Sequence, residues 1–260
     1  MVVTDAAGAP IRFERSSDPQ VSFVIVSFGH GEVLIEALTH LADDLAGASI
    51  AADVVLVDQS HPELGHASSD AVVRCTSGVV VHRVADNSGF AAGTNLGVAI
   101  SAAPVICLHN PDVLLEPGQT AALLAAHRAD PDAIVVPRLV NRDGSTQERG
   151  WRVIHDGWTR PILDDDEFDA DYGSAACWVL SRRTWDDVGG FDPGFFPAYY
   201  EDVDFALCAA GRGHPTRIVD DIAVVHEWSV NVRGGPPEVA AQRRRFVDKW
   251  ADLVANRAGE

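Results

Sequence analysis

Residues 21–58 read VSFVIVSFGHGEVLIEALTHLADDLAGASIAADVVLVD, and the succession of patterns in them decides the fold class. The β-rich apolar run at 21–28 is short and shows no polar alternation, as expected of a strand buried on both faces. Gly29–His30–Gly31 breaks it. From Glu32 onward, Leu34, Leu38, Leu41 and Leu45 recur at helical spacing, so a helix follows and lays one apolar stripe on the sheet. Residues 53–58 form a second buried strand. A strand, a helix and a second buried strand in succession make a βαβ unit, whose two strands run parallel.

The alternation continues. Residues 79–84 supply a third strand, 91–102 a helix, 104–109 a fourth strand, 117–129 a helix opened by Pro117, and 133–136 a fifth strand. The expected class is α/β, with a mostly parallel central sheet covered on both faces. Ligands in such sheets sit at the carboxyl ends of the strands. Ser27, Asp58, Asp86–Asn87 and Asn110–Asp112 are the polar residues there. Residues 1–20 lack periodicity and read as a flexible arm. Beyond 140 the pattern changes: 141–158 is polar and turn-rich, and 164–171 (DDDEFDAD) reads as a solvated acidic loop. Residues 172–181 are apolar again, followed by a helix at 203–210, a strand at 216–225 and a terminal helix at 237–255.

Thirty-eight acids against 20 bases give a net charge of −18, which disfavours nucleic acid and anionic lipid as partners. An anionic small ligand stays compatible if a divalent cation locally reverses the field. Cys75, Cys107, Cys177 and Cys208 form no CxxC pair and read as thiols of a reducing compartment. No leader pattern and no apolar run approaching ~18 residues is present, so a soluble, cytoplasmic protein without a transmembrane segment is expected.

Four constellations can carry chemistry. His109–Asn110–Pro111–Asp112 ends a strand in a proline-fixed turn, where a carboxylate can meet a hard cation, although such turns are structural in most proteins. Asn87–Ser88–Gly89–Phe90–Ala91–Ala92–Gly93–Thr94–Asn95–Leu96–Gly97 puts glycines at a strand-to-helix junction, suited to backbone approach to an anion. Its spacing is not GxGxxG, which sets a dinucleotide oxidoreductase aside. Phe191–Asp192–Pro193–Gly194–Phe195–Phe196 and Tyr199–Tyr200–Glu201–Asp202–Val203–Asp204 set aromatics beside paired acids, which suits sugar stacking and proton transfer and equally suits a helix start. His226 ends an apolar strand and gains interest only if the fold brings it to Asp112.

In this order and separation, the four pieces resemble the family 2 glycosyltransferases, particularly their rhamnosyltransferase-like bacterial branch. The resemblance spans about residues 21–228, and Gly173–Ser174–Ala175 and Val188–Gly189–Gly190–Phe191–Asp192 add to it. It implies a GT-A fold, with residues 21–140 as the nucleotide-sugar-binding half and 141–260 as the acceptor-binding half of one domain. It implies a nucleoside-diphosphate-sugar donor, with dTDP-rhamnose or another dTDP- or UDP-sugar suggested by the branch, and Mg²⁺ or Mn²⁺ held by Asp112 and His226. Asp202 matches the general base, with Glu201 beside it. Ser27, Asp58, Asn87, Gly89, Phe90, Gly93, Asn95, Asn110 and Asp112 fall at donor-binding positions. Trp178, Tyr199 and Tyr200 fall on the side of the acceptor, which would be a glycan, a lipid-linked or a small-molecule hydroxyl. The chain departs from the pattern at Ser27–Phe28–Gly29–His30 and at Thr94. Gln242–Arg243–Arg244–Arg245 offers either a solvated helix face or a cationic lid. Two competing functions are a sugar nucleotidyltransferase, for which residues 27–32 lack the basic loop, and a non-catalytic nucleotide-sugar-binding subunit.

Overall fold

A computed structural model of the chain describes residues 1–164, 169–227 and 236–257; residues 165–168 of the acidic run, Trp228 and the side chains of 236–238 lie outside the described residues. Strands β1 (Val2–Asp5) and β2 (Ile11–Arg12) precede β3 (Val21–Ser27) and α1 (Gly31–Ala48). Then come β4 (Ala52–Gln59), α2 (Ala67–Cys75), β5 (Thr76–Val84), α3 (Phe90–Ile100), β6 (Val105–His109) and the short β7 (Val113–Leu114). Helix α4 (Gln119–Ala129) leads to β8 (Ile134–Val140) and β9 (Thr146–Glu148), and a separate hairpin pairs β10 (Trp151–Val153) with β11 (Thr159–Pro161). The chain continues through β12 (Cys177–Ser181), α5 (Arg182–Val188), α6 (Glu201–Ala210), β13 (Thr216–His226), α7 (Pro236–Lys249) and α8 (Ala251–Asn256).

The main sheet runs β1-β5-β4-β3-β6-β12-β8-β13-β7, with β2 added to β5 and β9 to β8. Strands β5, β4, β3 and β6 are mutually parallel, as the βαβ alternation requires. Strand β12 enters antiparallel between β6 and β8. That reversal is invisible locally, because a strand buried on both faces has the same composition whichever way it runs.

Alternate residues of β3 point to opposite faces. Phe23 and Ile25 join Leu34, Leu38, Leu41 and Leu123 under α1 and α4. Val24 joins Trp178, Trp185, Phe191 and Phe205 on the other face. The expected flexible arm at residues 1–20 is corrected: β1 pairs antiparallel with β5, and Ile11 and Phe13 are buried. Thr4 Oγ1 donates to Val79 O and accepts from Val79 N–H. These strands are too short and irregular to show a period. The four cysteines are free thiols, Cys107 and Cys177 within the core. Among the described residues, no helix is long and apolar enough to cross a membrane.

Helix α3 lies unusually close on β3. A Cβ at Gly97 would stand 2.4 Å from Val24 Cγ1, and one at Gly93 2.9 Å from Val26 Cγ1. The two glycines, one turn apart, are what let the helix settle onto the sheet. Gly97→Val is therefore expected to destabilise the protein by about 1–3 kcal/mol through overpacking, read as a lower denaturant midpoint with an unchanged slope.

Candidate active site

The carboxyl ends of β3, β4 and β6 carry the polar residues expected there. Asp58 is buried, and its Oδ2 lies 2.8 Å from His66 Nδ1. Its other oxygen is buried without a hydrogen-bond partner, which marks it as an acceptor waiting for a donor. His30 follows β3, and its Nδ1 accepts the Phe28 N–H at 2.9 Å and stands 3.4 Å from Ser27 Oγ. Burial lowers the His30 pKa against the pull of Asp112 and Asp58. His30 thus stands in the field of both acids.

Beyond β6 the chain turns through Asn110 and Pro111. Asn110 N–H donates to Ala176 O, and Val113 N–H to Asn110 O. The turn delivers Asp112, which is 2% exposed, to the start of β7. Strand β13 pairs antiparallel with β7, setting His226 opposite Val113. Glu227 N–H then donates to Asp112 O, and His226 Nε2 comes to 3.3 Å from Asp112 Oδ1. The fold therefore joins the two residues that the resemblance paired, 114 positions apart in the chain. Burial holds the nearby His109 down at about pKa 4, so this imidazole is neutral.

A second group of acids lies at the start of α6. Tyr199 and Tyr200 both have positive φ, 81° and 71°, a conformation costly for residues with a Cβ. Tyr200 O accepts the Asp204 N–H, so this contorted pair is the helix entry that aims the following acids. Glu201 is buried, and its pKa is raised well above the usual carboxylate range by burial and by Asp202. Asp202 accepts its neighbour Val203's N–H at 2.8 Å. Burial pushes the Asp202 carboxyl up to about 7; the Val203 N–H opposes this and the Glu148 charge adds to it. Ala175 N–H also bonds Asp202, while Ala176 O holds Asn110. Adjacent residues just before the start of β12 thus tie the base candidate to the Asp112 turn.

Several expected contacts are corrected. Trp178 is fully buried, donates Nε1–H to Gly173 O and packs on Phe191 and Phe205, so it cannot touch an acceptor. Tyr200 is buried with its hydroxyl donated to Gly157 O, which leaves Tyr199 as the more accessible of the pair. Gly93 faces Val26 and Gln59 inside the protein and offers no backbone approach to a donor. Asn95 is a clasp: its Nδ2–H donates to Phe191 O at 2.8 Å and its Oδ1 accepts the Phe191 N–H at 2.9 Å. Gly89 needs its positive φ and its missing side chain, because a Cβ would lie 2.9 Å from Phe196 Cδ2. Phe90 N–H reaches Pro197 O, and Asn87 Oδ1 caps Gly89 N–H. The glycine-rich run therefore supports the aromatic loop at 191–197. Arg245 is paired with Asp192 at 2.8 Å rather than standing free as a lid.

Residues 22–189 match the family model "Glycosyl transferase family 2". The chain belongs to this family. It is 25% identical over 135 residues to the low-salt glycan biosynthesis hexosyltransferase Agl10 of Haloferax volcanii, covering 47% of this chain and 43% of that protein. GalNAc-T7, solved with UDP, GalNAc and Mn²⁺, superposes with a TM-score of 0.72 at 15% identity, over 91% of this chain and 50% of that one. The mannosyltransferase PcManGT of Pyrobaculum calidifontis, in complex with GDP-Man and Mn²⁺, gives 0.62 at 15% identity, over 96% and 67%. The chain thus spans about half the length of the first two. The fold is that of the GT-A glycosyltransferases, α/β with a mostly parallel mixed sheet.

Two residues without a sequence signal brace the same region. Gln59 accepts Ser88 N–H and donates to Gly89 O, bracing the glycine-rich turn. Glu148 is buried, accepts from Ser174 N–H and Trp151 Nε1–H, and lies within the electrostatic reach of Asp202 and His226. Neither belongs to a recognisable string, so only the fold reveals them. Asn95→Ala should cost about 1–3 kcal/mol, the usual effect of stranding buried partners, and hydrogen exchange at 191–197 should accelerate.

Proposed function

We propose that this family 2 chain is an inverting glycosyltransferase that moves a sugar from a nucleoside-diphosphate-sugar to an acceptor hydroxyl, with Asp202 as general base. The observation that carries this reading is Asp202 itself, a carboxylate at the head of α6 whose surroundings raise its pKa to about 7. A base poised there is about half ionised at neutral pH and basic enough to take a hydroxyl proton. The acceptor oxygen then attacks the anomeric carbon from the face opposite the departing diphosphate, and the configuration inverts. Glu201 stands beside the base, its carboxyl pushed toward the neutral form by burial and by Asp202. The donor is a dTDP- or UDP-sugar, with dTDP-rhamnose suggested by the resemblance to the rhamnosyltransferase-like branch, and the Asp58 oxygen without a partner among the described residues would accept an N–H from the nucleotide base. The acceptor is a glycan, a lipid-linked or a small-molecule hydroxyl, approaching past Tyr199.

Asp112 and His226 fit a divalent cation. Bonds of roughly 2.1 Å meeting near a right angle put two ligand atoms about 3 Å apart, close to the 3.3 Å between Asp112 Oδ1 and His226 Nε2. Among the described residues no third His, Cys, Asp or Glu completes a cluster with them, which leaves positions for diphosphate oxygens and water. A bound cation would neutralise charge developing on the leaving diphosphate. An imidazole ligand favours Mn²⁺ over Mg²⁺.

Asp112→Ala should abolish cation-dependent nucleotide binding in calorimetry with the fold intact by circular dichroism; unchanged affinity with and without chelator would remove the assignment. Asp202→Asn should lower transfer by roughly 10²–10⁴-fold while donor binding persists, and Glu201→Gln should cost less. The pH profile separates these roles. A base must be ionised, so kcat/KM should rise with pH through about 7. Glu148→Gln, which removes a negative charge that raises the Asp202 pKa, should move that midpoint downward. A profile flat from pH 5 to 8, roughly the window of such a carboxylate, would transfer the role elsewhere.

A further inference from the structure

His226 Nε2 can hold a cation only in one of the two neutral imidazole tautomers, the one with its proton on Nδ1. The hairpin between β8 and β9 bears on that choice: Gln147, at the centre of β9, reaches His226 with both ends of its amide. Its Nε2–H donates to the His226 carbonyl oxygen and, at 2.8 Å, to Asn141 Oδ1. A backbone carbonyl can only accept, so the orientation of the Gln147 amide is settled, and the oxygen facing His226 Nδ1 at 3.1 Å is Oε1. An amide oxygen cannot donate. The hydrogen bond therefore exists only if Nδ1 carries the proton, and the Nε2 lone pair then faces Asp112 Oδ1 at 3.3 Å.

We propose that Gln147 is the positioning residue of the cation site: it fixes His226 in the Nδ1–H form and presents Nε2 toward Asp112. The proposal rests on the cation reading above for its purpose, but not for its test. The same hairpin also secures the chain next to His226, since Arg142 is paired with Glu227 and lies 2.7 Å from Glu36. Ring and backbone of the strand end are thus held from one side, with the other side of the ring turned to Asp112. Hydrogen bonding to the distal nitrogen is the usual way a histidine ligand is oriented; here a neutral amide does it.

The test begins with metal-free protein at mildly alkaline pH. Long-range ¹⁵N–¹H correlation spectra, with the His226 signal assigned by its loss in His226→Gln, should show the Nδ1–H tautomer in the wild type. Gln147→Leu should shift His226 toward the Nε2–H form that free histidine favours and weaken Mn²⁺ binding, followed by electron paramagnetic resonance, by roughly 10–100-fold. Gln147→Glu keeps an acceptor at Nδ1 and should retain the tautomer, so it decides the matter if the leucine variant does not fold. A wild-type His226 in the Nε2–H form, or a Gln147→Leu protein with the Nδ1–H form intact, overturns the proposal. A wild type that binds no Mn²⁺ yet loses its Nδ1–H form on Gln147→Leu upholds Gln147 as the orienting residue and brings down the cation reading instead.

Discussion

Two backbone pairs at the edge of the sheet govern the whole site: His226 opposite Val113, and Glu227 N–H on Asp112 O. Strand β7 is only two residues long and would have no stability by itself. It exists because β13, paired in parallel with β8 along one edge, offers Val225 and His226 to β7 along the other. The register of β13 against β8 therefore determines whether a histidine or its neighbour meets Asp112. A one-residue slip would turn the imidazole to the other face of the sheet.

A second constraint is charge. A protein of net charge −18 holds several carboxylates out of solvent: Asp58 and Asp112 at the strand ends and Glu148 and Glu201 are buried, and Asp202 is half-buried. Burying so many acids together is unfavourable unless each is hydrogen-bonded, protonated or neutralised. The structure uses different solutions at different positions. Asp58 takes His66, Glu148 takes Trp151 and Ser174, and Glu201 is pushed toward its neutral form. Asp204, the last acid of the same string, is spent on Lys249 and Trp250, tying α6 to the terminal helices. Adjacent acids in one short motif thus have different partners because their surroundings differ.

The glycine-rich run illustrates how a signature can be recognised and its work misassigned. Gly93 and Gly97 make room for β3, Gly89 makes room for Phe196, and Asn95 clasps Phe191. All act on the scaffold that carries the aromatic loop. Proximity to a ligand and proximity to a packed strand both select glycine, since each forbids a Cβ. Residue type alone cannot separate them.

The sequence by itself determined the βαβ frame, the strand ends where polar residues gather, and the family, because buried parallel strands and amphipathic helices write their periods into short windows and the family's strings are contiguous. It also named Asp112, His226 and Asp202. The meeting of Asp112 with His226 was decided only by tertiary structure, through the pairing of β13 with β7, and the setting of Asp202 by the turn through Tyr199 and Tyr200. The same is true of Trp178, whose aromatic side chain suits a sugar platform or a core equally and which the packing of Phe191 and Phe205 commits to the core. Gln147 and Glu148 carry no signal of their own, being ordinary polar residues after a turn. Their roles come from pairings spanning tens of residues, and no local period records those.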